Sequence, residues 1–81
     1  MSYFIDMAVL DKIVAEWARA KAMHPGVMHS AHEGYAILLE EVDEVWAEIK
    51  KKKLDRPALE KELVQVGAMV LRMLTELNLT K

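Results

Sequence analysis

Apolar residues return every three or four positions along almost the whole of this chain, and only two short breaks interrupt them, His24 to Gly26 and Leu54 to Pro57. That spacing is the period of a helix with one face turned to a core. No stretch alternates polar and apolar residues long enough to make a strand, so the pattern restricts the chain to an all-α fold of three helices. At 81 residues it is a single domain, residues 1–81. A domain of this size buries only about 60% of the surface its unfolded chain exposes, so its own core is marginal.

The first helical stretch carries Val9, Leu10, Ile13, Val14, Trp17 and Ala20 between Phe4 and Met23. It stops at His24, where Pro25 disfavours helical geometry. Ser30 followed by Glu33 forms an S-x-x-E capping box, which starts a second helix at Ala31 with each side chain bonding the other residue's backbone N–H. Its apolar stripe is Tyr35, Leu38, Leu39, Val42, Val45, Trp46 and Ile49, expected to be the core face. Asp55 caps a third helix, with Pro57 tolerated in its first turn, running to about Leu77. There Leu59, Leu63, Val66, Val70, Met73 and Leu77 share a face that Val64, Gly67, Leu71 and Leu74 widen beyond the reach of one groove. An antiparallel hairpin with a third helix packed alongside follows from these lengths. The surplus width on the third helix, with Gly67 and Ala68 permitting close approach, predicts a homodimer that completes a larger bundle.

Composition narrows the setting. There is no Cys, no apolar run approaching the ~18 residues that span a bilayer, and no basic leader before the N-terminal apolar residues. A cytoplasmic protein without a membrane partner is expected. A net charge of −2 gives no basic surface for nucleic acid apart from the run Lys50 to Lys53, which reads as a solubilised helix end. DNA retention through that run is a weaker alternative.

Charge is concentrated elsewhere. From His32 to Ile49 the chain holds six carboxylates and neither Lys nor Arg. Wound at about 100° per residue, Glu33, Glu40, Glu41, Glu44 and Glu48 lie opposite the apolar stripe. Pairs such as Glu40/Glu44 and Glu44/Glu48 repel across one turn by ~0.2–0.5 kcal/mol each. Glu33 is explained by its cap. A bound cation offsets the repulsion of the others, and oxygen-only ligands select Mg2+ or Mn2+ over softer metals. Mg2+ commonly joins carboxylates to phosphate oxygens, so a phosphate-bearing ligand is the expected other half. The third helix offers a polar stripe at Glu62, Gln65, Met69, Arg72 and Glu76, with Arg72 as a phosphate partner. His32 and Glu33 begin like a zinc-protease H-E-x-x-H, but position 36 is Ala. A transition metal on His29, His32 and Glu33 is a minor alternative, and the Glu-x-x-His pairs of di-iron bundles are missing.

"EEVDE", Glu40 to Glu44, followed after the lysine turn by "KELVQVGAMVLRML", Lys61 to Leu74, resembles the MazG-like all-α nucleoside triphosphate pyrophosphohydrolases, particularly short phage or prophage members. The likeness covers Ser30 to Leu77. It implies a helical dimer or tetramer that binds Mg2+ and splits a nucleoside triphosphate into monophosphate and pyrophosphate. Glu40, Glu41 and Glu44 match the family's E-E-x-x-E, and Glu62 opens its E-x-x-D, whose Asp is here Gln65. The resemblance implies that Glu41, Glu44 and Glu62, with Gln65, hold the metal, and that Glu40 is a further ligand or orients the attacking water. Lys21, Trp17 and the His24 to His32 loop are left to contact the nucleotide. The neutral amide of Gln65 also admits a second reading, a binding or structural module that keeps the fold without turnover.

Overall fold

The structure, a computed structural model, describes residues 4–79. They form three helices, α1 (Met7–Met23), α2 (Ala31–Ile49) and α3 (Arg56–Glu76). Each start is fixed by a side-chain oxygen that accepts a backbone N–H otherwise left without a partner. Asp6 accepts from Ala8 N–H at 2.9 Å, so α1 begins after Asp6 and leaves Phe4 and Ile5 outside. Ser30 accepts from Glu33 N–H at 3.2 Å, as the capping box requires. The return bond differs from the expected one, because Glu33 Oε2 accepts from His29 N–H at 3.1 Å rather than from Ser30. Asp55 accepts from Ala58 N–H at 3.1 Å, with Pro57 in the first turn of α3.

The third helix is the middle one. Both α1 and α2 pack on α3, and among the described residues they do not pack on each other. Gly34 of α2 lies against Met73 of α3, while Glu41 of α2 meets Gln65, so α2 and α3 run antiparallel. On the other flank Lys12 pairs with Glu60 and Ile13 with Gly67, so α1 runs parallel to α3. The hairpin with a helix alongside is thus the observed arrangement. Gly67 permits a close approach, but to Ile13 of the same chain, and α1 therefore takes up part of the apolar width that the sequence assigned to a second copy.

The second helix is turned away from the expected orientation. Its half-buried line is Ile37, Leu38, Glu41, Val45 and Glu48 around buried Gly34. Tyr35, Leu39, Val42, Trp46 and Ile49, read from the sequence as core, are exposed. The reason is local packing: α2 has a single helical neighbour, and the approach centres where Gly34 has no side chain and Met28 and Met73 fill the space. Only Met28, Ala68 and Met69 are buried apolar residues among those described.

The connection from α1 to α2 is tied down at one point. Glu76, near the end of α3, accepts from Met28 N–H at 2.8 Å and from Arg72 Nε at 2.9 Å, with Lys21 Nζ 3.5 Å away. Lys21 also donates to the Gly26 carbonyl at 3.1 Å. The Arg72 guanidinium and the Met28 amide hold the Glu76 carboxyl below the usual range, in spite of its burial.

A methyl group at position 67 would sit 3.1–3.2 Å from three atoms of Ile13. Alanine gains about 1 kcal/mol of helix preference over glycine, whereas overpacking costs about 1–3 kcal/mol. Ile13 is β-branched and cannot swing aside. We expect Gly67→Ala to lower stability by about 1 kcal/mol, a fall of roughly 4–8 °C in Tm for a domain this small. Adding Ile13→Val, which removes the Cδ1 atom in the way, should recover part of that loss, a coupling that thermal melts of the single and double variants would measure.

Candidate metal-binding site

Two carboxyl-bearing residues three apart on a helix project from the same face. Glu41 and Glu44 do so on α2, and on α3 Glu62 shares a face with the amide of Gln65 in the same way. Because the two helices run antiparallel, the pairs face each other. One carboxylate oxygen from each of Glu41, Glu44 and Glu62 lies within 4.8 Å of the other two. Glu41 and Glu62 are half-buried and Glu44 is exposed.

Gln65 closes the set as a donor. With its amide nitrogen turned toward the carboxylates, it lies 3.1 Å from Glu62 Oε2 and 3.1 Å from Glu41 Oε2. The amide dipole therefore offsets some of the repulsion between them. To act as a ligand through its oxygen, Gln65 would have to give up both bonds.

The remaining repulsion is visible in proton affinity. Burial, then the charge and hydrogen bond of Glu44, push the Glu41 carboxyl up from its ordinary value. Partial burial and the same Glu44 carboxyl push Glu62 up as well. Such shifts mark groups held together against their charge.

The set fits a hard divalent ion. At ~2.0–2.1 Å per Mg–O bond, opposed ligand oxygens stand about 4.2 Å apart and adjacent ones about 2.9 Å. Three oxygens within 4.8 Å of one another stand near that spacing. The exposed side of Glu44 leaves room for water or a ligand oxygen.

Beside the cluster runs a groove of about 410 Å3 between α1 and α2, floored by α3. Glu41 and Gln65 lie at one part of its wall, and Arg19, His24 and Arg72 at others. Arg72 is brought to the groove as expected, but its guanidinium is already engaged by Glu76. Lys21 bonds to the loop and Glu76 and does not line the groove. Glu40 is exposed and stands outside the carboxylate set. Trp17 is half-buried, and its indole N–H is buried without a hydrogen-bond partner. Of the other acids of α2, Glu48 is met by Lys51 at 2.8 Å and Glu33 by His29 N–H.

The sequence reading missed Glu16 and Arg19, which α1 contributes to the groove. Arg19 Nε donates to Glu16 Oε1 at 2.9 Å, and this bond keeps the Glu16 carboxyl below its ordinary range. Their three-residue spacing shows that they can pair. It does not show that α1 turns this pair toward α2, because that depends on how α1 docks on α3.

No protein-family model matches the chain, and comparison with curated proteins and with solved structures also finds no match.

Raised carboxyl affinities imply a folded state that binds protons more tightly than the unfolded chain. The contribution of Glu41 and Glu62 is fully present below the ordinary carboxylate range and is lost as pH rises through their elevated folded values. Glu16 and Glu76 act in the opposite sense, stabilising at neutral pH and losing that effect as pH falls through their lowered values. Without divalent ions, Tm should therefore rise from neutral to mildly acidic pH and fall in stronger acid. Glu41→Gln should raise Tm at neutral pH by a few degrees and flatten the rise, as melts across a pH series would show.

Proposed function

We propose that the chain is a Mg2+- or Mn2+-dependent nucleoside triphosphate pyrophosphohydrolase that works as a homo-oligomer. The observation that carries this reading is the convergence of Glu41, Glu44 and Glu62 from two antiparallel helices beside a groove lined with arginine. The likeness of Glu40 to Glu44 and Lys61 to Leu74 to the MazG-like motifs supports the same assignment. A divalent ion, when bound, neutralises phosphate charge and lowers the pKa of a coordinated water.

The chain's own residues do the rest. Glu41, Glu44 and Glu62 hold the ion and thereby fix where a polyphosphate enters. Arg19 and Arg72, each paired with a glutamate of its own helix, would exchange part of that pairing for phosphate oxygens when a polyphosphate enters the groove. Glu40, next to the ligand set and open to solvent, is placed to orient a water. In the reaction, water oxygen bonds to the α-phosphorus as the bond to the β-phosphate bridge breaks, and pyrophosphate leaves with the electron pair. Positioning and charge neutralisation supply most of the catalysis of such transfers.

One observation favours a second reading, a binding module without turnover. Gln65 donates to two of the would-be ligands, occupying with an amide the place where an acid would add charge.

The two readings separate by measurement. An ion that binds only the folded chain stabilises it by ~2.7 kcal/mol at a hundredfold excess over Kd. Mg2+ or Mn2+ should thus raise the Tm of the wild type by roughly 10–20 °C under those conditions, and that of Glu41→Ala or Glu44→Ala hardly at all. Equal shifts in all three would remove the site. Release of pyrophosphate from any member of a nucleotide panel identifies the enzyme. Gln65→Asp should lower the Tm of the ion-free protein and steepen its response to Mg2+. If turnover is seen only in that variant, the natural chain is the binding module.

A further inference from the structure

The carboxylate of Glu76 is enclosed near the end of α3, with its side chain only 4% exposed. Three segments of the chain meet it. Arg72 of α3 donates from Nε to Oε2 at 2.9 Å and from Nη2 to Oε1 at 3.3 Å. The Met28 N–H, in the connection between α1 and α2, donates to Oε1 at 2.8 Å. Lys21 Nζ of α1 stands 3.5 Å from Oε2. Two cations thus face one oxygen, and Arg72 holds it. An ammonium has three donors, and Lys21 gives one to the Gly26 carbonyl at 3.1 Å.

The two cations differ in what else they can reach. Arg72 lines the groove and Lys21 does not. Turning the Arg72 fork toward a phosphate takes from Glu76 the paired bonds that offset its burial. Glu76 is kept from following, because the Met28 N–H holds Oε1. A carboxylate left enclosed with its charge unpaired would oppose the exchange. The Arg72 bond does most to hold the Glu76 carboxyl below its ordinary range, against the effect of burial, and the Met28 amide and the charge of Lys21 add to it. Lys21 therefore already acts on this carboxylate from its present distance.

We propose that Lys21 is a positioning residue of the groove, taking over the Glu76 carboxylate as Arg72 exchanges it for phosphate oxygens. The inference rests on the reading of the groove as a polyphosphate site, and it gives Lys21 a role at one remove from the ligand in place of direct contact. The movement required is small. Nζ stands at 3.5 Å, and a charge-assisted hydrogen bond forms at ~2.7–2.9 Å. The flexible four-carbon stem of a lysine allows that approach. Glu76 then stays paired before and after the exchange, and Arg72 is released without stranding a buried charge. Because Lys21 belongs to α1, the same transfer ties α1 more firmly to α3 while the groove is occupied.

Calorimetric titration of the Mg2+-loaded protein with inorganic tripolyphosphate tests it. Lys21→Met should weaken tripolyphosphate binding roughly tenfold, within the usual range of coupling between sites, and Lys21→Arg should keep the affinity. The Tm shift with Mg2+ alone should be the same in the wild type and both variants. In Glu76→Gln no charge is left behind when Arg72 turns, so adding Lys21→Met there should cost little further affinity. A lysine that touched phosphate directly would lose the same factor in both backgrounds. That result, or full affinity in Lys21→Met, overturns the proposal and leaves the polyphosphate reading standing. Should Glu76→Gln unfold, a crystal structure with Mg2+ and tripolyphosphate decides. Lys21 Nζ should then bond Glu76 Oε2 with Arg72 Nε withdrawn from it, and an unchanged Arg72–Glu76 pair overturns the proposal. A wild type that shows the Mg2+ shift but no affinity for tripolyphosphate removes the polyphosphate reading and this proposal with it.

Discussion

Every tertiary contact between helices passes through α3. Its two flanks take α1 and α2 separately, and because among the described residues those two helices do not pack on each other, the polar side of α3 is left as the floor of a groove. Close approach on each flank is possible because a glycine stands at the contact, Gly67 facing Ile13 and Gly34 facing Met28 and Met73. With so thin a layer, few residues can be shielded on all sides. Burial is confined to Met28, Ala68 and Met69 among the described residues, and all stand on or against the middle helix.

Antiparallel pairing is what turns two ordinary helix faces into a site. Glu41 and Glu44 repel each other across one turn, and so do their neighbours, yet α3 brings a further glutamate to them instead of a lysine. The cluster stays together because Gln65 donates to two members and because Glu41 and Glu62 hold protons more tightly than free carboxyls. The cations of the groove are treated differently. Arg19 and Arg72 each have a glutamate partner on their own helix, so the groove is lined by paired positive groups next to an under-neutralised negative set.

Signals that depend on a few adjacent residues were legible in the sequence. Ser30, Asp55, Pro57 and the break at Pro25 each act through the nearest turn, and the three helices end close to where those residues place them. The pairing of Glu41, Glu44 and Glu62 was also legible, because spacing on each helix fixes a face and a short link makes neighbours antiparallel. What the sequence withheld was rotation about the helix axes. An apolar stripe shows which side of α2 avoids water but not what covers it, and α3 meets α2 along the Gly34, Leu38 and Val45 edge. The same indeterminacy hid Glu16 and Arg19, and it led Gly67 to be read as a contact between copies instead of one within the chain. The role of Glu76 depends on a backbone N–H at Met28, 48 residues away, which no local pattern encodes.

The order of the helices along the chain has a kinetic consequence. α2 and α3 are joined by a short turn and form their contacts from that turn outward, whereas α1 reaches its place on α3 only through pairs such as Lys12 and Glu60, 48 residues apart. Closing so long a segment costs more chain entropy than zipping a hairpin. That cost favours the hairpin as the earlier step and the docking of α1 as the later one. Release of α1 would strip one wall from the groove while leaving the facing carboxylates of α2 and α3 in place.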